Sequence, residues 1–189
     1  MENARVCDRG VDNARMVAAV VLAAGASTRF GSPKQRLLLE PVLARVRAAT
    51  SVQEIVVVQG AHELETDARV VVCADWERGP GGSLRCGLSA LPAETAAAVV
   101  VLGDGPRLAP AAIDRVVAAW RGGAGDVVAA SYGGNRGHPL VLDRSRWDEV
   151  PDEGARALTP VLVPCDDLGE PGDVDTPADL GRARQPSGE

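Results

Sequence analysis

The chain has few aromatic residues, two histidines and a single lysine. Aromatic residues make up 3% of the 189 residues and hydrophobic residues 46%, so the core must consist mainly of valine, leucine and alanine. Lys34 stands alone among 20 basic residues, the rest being arginine. Because an ammonium is a compact, strongly hydrated charge and a guanidinium is planar, we interpret this lysine as functional.

Several classes of protein lack support in the sequence. The net charge of −6 and pI of about 5.0 argue against a nucleic-acid partner, which needs a basic surface. No run of about 18 apolar residues is present, so we expect no membrane helix. Residues 1–15 lack an apolar core, which predicts a disordered tail and no signal peptide.

The four cysteines are widely spaced and form no Cys-x-x-Cys pair. This spacing indicates neither a zinc site nor a disulfide framework. We therefore expect reduced thiols in a cytoplasmic protein. The length predicts one domain over residues 16–182, followed by a polar tail over 183–189.

Apolar runs and helical periodicity alternate along the chain, which is typical of an α/β protein with a parallel sheet. The runs predict strands over 16–21, 54–58, 69–73, 96–102, 126–130, 140–142 and 161–163. Helices are predicted over 41–49, 63–66, 83–91, 110–120, 145–150 and 154–158, with a final helix after Thr176.

The first strand leads into a loop rich in small residues, from Leu22 to Lys34. Glycines at 25 and 31 let the backbone turn and approach a ligand closely. Hydroxyl and backbone donors, together with Arg29 and Lys34, suit this loop to polyphosphate.

A second glycine-rich loop precedes Ser83. Ser83 is suited to cap a helix, and a helix start behind glycines is equally suited to contact an anion or nucleotide. The sequence leaves both interpretations open.

Asp104 follows the most hydrophobic strand, where ligands bind in open parallel sheets. Its carboxylate could hold Mg²⁺ or merely shape the turn before Gly105-Pro106, and convergence with the first loop favours the metal. Asp173 or Asp175 is a candidate second ligand. His138, in another glycine-rich loop, keeps an open role, whereas His62 is interpreted as an ordinary polar residue.

These blocks together resemble the MobA-like nucleotidyltransferases, and within them the molybdenum cofactor cytidylyltransferases. The resemblance spans about residues 16–180. It is carried by Leu22-Ala-Ala-Gly25 with Ser27, Arg29, Gly31 and Lys34, by the segment 76–88, and by the later blocks 136–139, 154–158 and 173–177.

The resemblance implies a Rossmann-like three-layer α/β/α fold with a mostly parallel mixed sheet. It also implies transfer of CMP from CTP to molybdenum cofactor, with release of pyrophosphate. The Leu-Ala-Ala-Gly sequence is similar to the CTP-using branch, whereas the GTP-using branch tends to have Leu-Ala-Gly-Gly.

By this resemblance, Arg29, Lys34 and Asp104 are catalytic, and His138 lies near the molybdopterin substrate. Asp104 and Asp175 would bind Mg²⁺. The nucleotide would contact Leu22, Ala23, Ala24, Gly25, Ser27, Gly82 and Ser83.

Two departures from the family pattern accompany this resemblance. The segment between Lys34 and the first helix is shortened, which leaves open a non-catalytic factor that carries the cofactor to a molybdenum hydroxylase apoenzyme. Gly105 replaces a larger residue and is expected to open the substrate side. Nucleotide transfer to another phosphorylated acceptor is a further alternative, whereas Gly25-x5-Gly31 lacks the spacing of a dinucleotide-binding oxidoreductase.

Overall fold

A computed structural model describes residues 15–27 and 34–172. The predictions for Arg29, Asp173, Asp175, the final helix and nearly all of both tails lie outside these residues. Within the described ranges, no helix is long and apolar enough to cross a membrane.

A seven-stranded sheet forms the centre of the molecule, in the order β3-β2-β1-β4-β6-β5-β7. Strand β6 runs antiparallel to both of its neighbours, and every other pair is parallel. This confirms the mostly parallel mixed sheet. The strands are β1 Met16–Ala23, β2 Glu54–Gln59, β3 Arg69–Val72, β4 Thr95–Leu102, β5 Val127–Tyr132, β6 Asn135–Asp143 and β7 Val161–Pro164.

Helices cover both faces of the sheet, because side chains of a buried strand alternate between the two sides. Val17 and Val21 of β1 belong to the same core cluster as helices α1 (Gln35–Ala48) and α3 (Pro110–Arg121). Val20 belongs to the opposite cluster with α2 (Pro80–Ser89). The result is the predicted three-layer α/β/α arrangement.

Short 3₁₀ helices connect the main elements. They comprise Trp76–Arg78, Arg144–Glu149, Gly154–Ala157 and Asp166–Leu168. Two of them lie in regions predicted as short helices, 145–150 and 154–158.

The start of α1 was predicted wrongly. The predicted range 41–49 starts too late, because the helix begins at Gln35 and contains Pro41. Leu38 and Leu39 are almost completely buried, and their packing extends the helix through the proline.

Two further local predictions were wrong. Residues 63–66 form no helix, since the segment between β2 and β3 is irregular. Ser83 does not cap α2, because the helix begins at Pro80, with Gly79 as its N-cap in a conformation with φ of +116°. Proline at the first position outweighs the capping preference of a serine three residues later.

The expectation of reduced thiols was wrong for one pair, because Cys73 and Cys86 form a disulfide. Cys73 follows β3 and Cys86 lies in α2, so the connection from strand to helix brings together residues that are 13 apart. Spacing along the chain does not reveal such a contact. Cys165 is free and buried.

Gly87 allows α2 to pack directly on the sheet. A Cβ at this position would lie 2.5 Å from a methyl carbon of Val20 and 2.7 Å from one of Val58, and both valines are completely buried. The backbone of α2 is therefore held closer to the strands than any residue with a side chain would permit.

We predict that Gly87→Ala destabilises the protein by about 1–3 kcal/mol through overpacking. The clash exceeds the gain of about 1 kcal/mol that alanine brings to a helix. Urea denaturation measures the change, and Ser89→Ala on the exposed side of the same helix is the matched control. A raised midpoint for Gly87→Ala would show that the helix can move outward.

We also predict that the disulfide stabilises the fold by about 3 kcal/mol, since it closes a loop of intermediate length in the unfolded chain. Thermal unfolding with and without dithiothreitol measures this contribution. The variant Cys86→Ala should unfold at the same temperature in both conditions. Equal unfolding temperatures for the wild type, with the bond verified by mass spectrometry, would contradict the prediction.

Candidate functional site

The carboxyl ends of β1, β2 and β4 meet at one edge of the sheet, where ligands bind in folds of this type. The backbone there is closely tied together. The Gly103 amide donates to the Leu22 carbonyl oxygen over 2.9 Å, and the Ala61 amide donates to that of Ala24 over 3.1 Å. A Cβ at Gly60 would lie 2.6 Å from the Ala24 oxygen, so this turn has no room for a side chain.

Gln35 holds the loop that follows β1. Its amide nitrogen donates to the Gly25 carbonyl oxygen over 2.7 Å, and its amide oxygen accepts from the Ser27 hydroxyl over 2.5 Å. Ser27 has φ of +53°, a conformation that a residue with a side chain adopts only when its surroundings enforce it. Sequence reasoning missed Gln35, because the sequence shows only a glutamine directly after Lys34, whereas its burial and its contacts with the loop appear only in the structure.

Lys34 and Asp104 form an ion pair across this edge, with Nζ 2.8 Å from Oδ2. Their side chains are 10% and 26% exposed, so this contact is largely shielded from water. The pair joins the end of the first loop to the end of β4. Two of the predicted catalytic residues are therefore brought together.

The second carboxylate oxygen of Asp104, Oδ1, is buried and accepts no hydrogen bond from the described residues. A buried anionic oxygen without a donor is costly. A divalent cation with a preference for oxygen ligands fits this atom, and the neighbouring Lys34 occupies only the other oxygen. The described residues contain no group of three or more histidine, cysteine, aspartate or glutamate side chains that could hold a metal, so a cation at Asp104 would need further ligands from elsewhere.

A cleft of about 340 Å³ lies beside the loop. Ser83 is buried in the first turns of α2 and lines this cleft, whereas Gly82 does not line it, and a Cβ at Gly82 would be 3.1 Å from the Asp75 carbonyl oxygen. The cleft therefore combines largely apolar walls with the Ser83 hydroxyl and the Glu77 side chain. It is lined by Leu22, Ala24, Gly25, Trp76, Glu77, Gly79, Pro80, Ser83 and Leu102.

A second pocket, of about 240 Å³, contains His138. Burial is the largest influence on the pKa of His138 and lowers it. The Val100 carbonyl oxygen, 3.4 Å from Nδ1, raises this pKa by a smaller amount, and the Arg136 charge lowers it further. The imidazole is therefore neutral at pH 7. The pocket is lined by Tyr132, Asn135, Arg136, Gly137, His138, Glu170, Pro171 and Gly172.

Gly105 connects Asp104 to this second pocket. A Cβ at Gly105 would lie 3.0 Å from the Cβ of Pro171, and the Arg107 amide donates to the Pro171 carbonyl oxygen over 3.0 Å. The expectation that Gly105 opens the substrate side was wrong, because Pro171 occupies the space. Gly172, the last described residue before Asp173, packs against the Arg107 guanidinium.

The structure brings most of the predicted site residues to one edge of the sheet, but not all of them to one pocket. Leu22, Ala24, Gly25 and Ser83 line the cleft, Lys34 and Asp104 pair beside it, and His138 lines the second pocket. Ser27 lies in the loop held by Gln35, while Ala23 is buried in the core and Gly82 does not line the cleft. Arg29 and Asp175 lie outside the described residues.

Similar solved structures share this architecture. Rv0371c from Mycobacterium tuberculosis is 28% identical over 89% of this chain and 96% of its own, with a TM-score of 0.71. A complex of that protein with manganese is 27% identical, over 88% of this chain and 97% of its own, with a TM-score of 0.69.

A more distant structure shows only the common fold. Molybdopterin-guanine dinucleotide biosynthesis protein A from Archaeoglobus fulgidus is 17% identical over 89% of this chain and 96% of its own, with a TM-score of 0.65. A search of curated proteins gave no significant match.

The sequence also matches a defined family over most of its length. Residues 19–162 match the MobA-like NTP transferase domain. This range contains the loop after β1, the Lys34–Asp104 pair, the cleft and His138. The chain therefore belongs to the MobA-like NTP transferase family and is a nucleotidyltransferase.

Proposed function

We propose that this nucleotidyltransferase transfers CMP from CTP to molybdenum cofactor, with release of pyrophosphate. The observation that carries the proposal is the position of Asp104 between two pockets. Leu102, two residues before it, lines the cleft, and Gly105, directly after it, contacts Pro171 of the second pocket. Asp104 itself lines neither pocket, but its neighbours along the chain border both, and we therefore place the donor nucleotide and the acceptor on either side of this strand end.

The cleft is the proposed nucleotide site. Backbone around Gly25 and the side chains of Arg29 and Lys34 would neutralise the triphosphate, since a glycine loop followed by cations suits polyphosphate. Trp76 and Ser83 would contact the nucleoside. The preference for cytosine over guanine is inferred from the similarity of Leu22-Ala-Ala-Gly25 to the CTP-using branch.

The second pocket is the proposed acceptor site. Nδ1 of the neutral His138 imidazole faces the Val100 carbonyl oxygen, so Nδ1 is the nitrogen that carries the ring proton. Nε2 is then a hydrogen-bond acceptor for a polar group of the substrate. This role agrees with the position near molybdopterin that the family resemblance implies.

The reaction needs no general base. A terminal phosphate oxygen of the acceptor attacks the α-phosphorus of CTP, a new phosphorus–oxygen bond forms, and the bond to the β-phosphate oxygen breaks. Pyrophosphate leaves with that electron pair. Because a phosphate monoester is already anionic near neutral pH, positioning and charge neutralisation supply the catalysis.

Asp104 and Asp175 are the residues that would hold Mg²⁺. The bound cation would supply charge stabilisation at the phosphates during transfer. Asp104 would use Oδ1 for this purpose, while Lys34 keeps the orientation of the carboxylate through Oδ2. The product would serve a molybdenum hydroxylase.

The test of the proposal is a panel of CTP, GTP, ATP and UTP with Mg²⁺ and molybdenum cofactor, followed by pyrophosphate release. We expect CTP to be used at least about tenfold faster than GTP, a difference that a few specific contacts can supply. Equal turnover of GTP would contradict the cytosine assignment. A phosphorylated polyol as alternative acceptor checks the second half of the proposal.

The same panel separates an enzyme from a carrier. Tight binding of molybdenum cofactor in calorimetry, without turnover of any nucleotide, would favour the non-catalytic maturation factor. Turnover that depends on both substrates would exclude it as the main role.

We predict that Asp104→Asn lowers kcat by about 10²-fold or more, because the substitution removes the negative charge that would hold a cation beside the phosphates. Asparagine keeps an oxygen for Lys34, so the fold should be retained. Steady-state kinetics against Mg²⁺ concentration provide the measurement. Asp148→Asn, at an exposed residue away from both pockets, is the control, and wild-type kcat in Asp104→Asn would contradict the assignment.

A further inference from the structure

Arg136 makes an unusual set of contacts near the start of β6. Its Nη1 donates to the carbonyl oxygens of Leu158 and Arg156 over 2.7 and 3.2 Å, and its Nη2 donates to that of Ala155 over 2.6 Å. The guanidinium is thereby committed to backbone in the segment 150–158. A rigid planar donor suits such convergent carbonyls better than an ammonium.

The segment 150–158 packs directly against the start of α2. The Gly81 amide, one of the unpaired donors of a helix start, donates to the Asp152 carbonyl oxygen over 3.0 Å. A Cβ at Gly81 would lie 1.9 Å from the Pro151 oxygen, and one at Gly154 would lie 3.2 Å from the Gly81 nitrogen. The two backbones touch with no side chain between them.

Arg85 reinforces the same contact from the helix side. It donates to the Val150 carbonyl oxygen over 2.7 Å and to the Asp152 carboxylate over 2.6 Å. The segment 150–158 is therefore held between Arg136 on one side and α2 on the other.

The start of α2 is also a wall of the cleft, through Gly79, Pro80 and Ser83. Arg136 itself lines the second pocket, close to His138. One guanidinium therefore borders one pocket and supports a wall of the other through the backbone between Pro151 and Leu158.

We infer that Arg136 is a positioning residue that fixes the first turn of α2 and thereby sets the affinity of the cleft for nucleotide. It acts through the segment 150–158 and does not touch the nucleotide. The inference rests on the proposed function, in that the cleft must be the nucleotide site. Its mechanical part, the support of α2, stands independently of what the cleft binds.

The test compares Arg136→Gln and Arg136→Lys with Arg144→Gln and Arg144→Lys. Arg144 is a matched control, since it also donates to a carbonyl oxygen, that of Thr95 over 3.2 Å, and lies over the Trp147 ring away from both pockets. Isothermal titration calorimetry measures the Kd for CTP with Mg²⁺. Hydrogen exchange by mass spectrometry reports on residues 79–88 and 150–158.

For Arg136→Gln we expect the Kd for CTP to rise about tenfold or more. If the first turn of α2 is displaced, the residues of this cleft wall no longer contact the nucleotide in the correct geometry. Exchange should accelerate in both segments and remain unchanged in α3. The KM for CTP should rise more than kcat falls. Arg136→Lys should recover part of the affinity, while both Arg144 variants should keep the wild-type Kd.

Each remaining outcome has a distinct meaning. A wild-type Kd and wild-type exchange in Arg136→Gln would overturn the inference. If Arg136→Gln does not fold, an unchanged Kd in the folded Arg136→Lys variant overturns it equally. If the wild type binds no nucleotide, the proposed function fails. Unaltered hydrogen exchange over residues 79–88 in the Arg136 variants would separately refute the support of α2.

Discussion

The ion pair between Lys34 and Asp104 is the interaction on which the arrangement of the site depends. It exists because β1 and β4 are adjacent and parallel, so the loop after one strand and the turn after the other emerge at the same edge. A buried charge needs a partner, and each of these residues supplies one. The pair leaves the other carboxylate oxygen of Asp104 without a donor among the described residues, and this is the atom that we propose as a cation ligand.

Close approach of backbones is the second constraint. Three glycines allow it at different places: Gly60 beside the first loop, Gly87 under α2 and Gly81 against the segment 150–158. In each case a Cβ would lie within 2.7 Å of a neighbouring atom, so side-chain volume is excluded where the layers meet. The cleft keeps its shape because α2 cannot retreat from the sheet or from this segment without losing these contacts.

Much of the fold could be predicted from hydrophobic runs and their alternation. Strands such as β2 and β4 are continuous apolar runs, a pattern that buried parallel strands impose on a sequence. The errors occurred where local preference competes with packing. The predicted helix over 41–49 began too late, although the burial of Leu38 and Leu39 extends α1 before Pro41, and Ser83 suggested a cap although Pro80 begins α2.

The sequence by itself determined the sheet, the glycine loop after β1 and the family, since these depend on residue types and their order along the chain. Only the tertiary structure decided which distant residues meet. The pairing of Lys34 with Asp104, the disulfide between Cys73 and Cys86, and the hydrogen bonds from Arg136 to the segment 150–158 join residues through space. Such contacts leave no periodic pattern in the sequence, because strand order and helix packing, rather than chain spacing, set which side chains become neighbours.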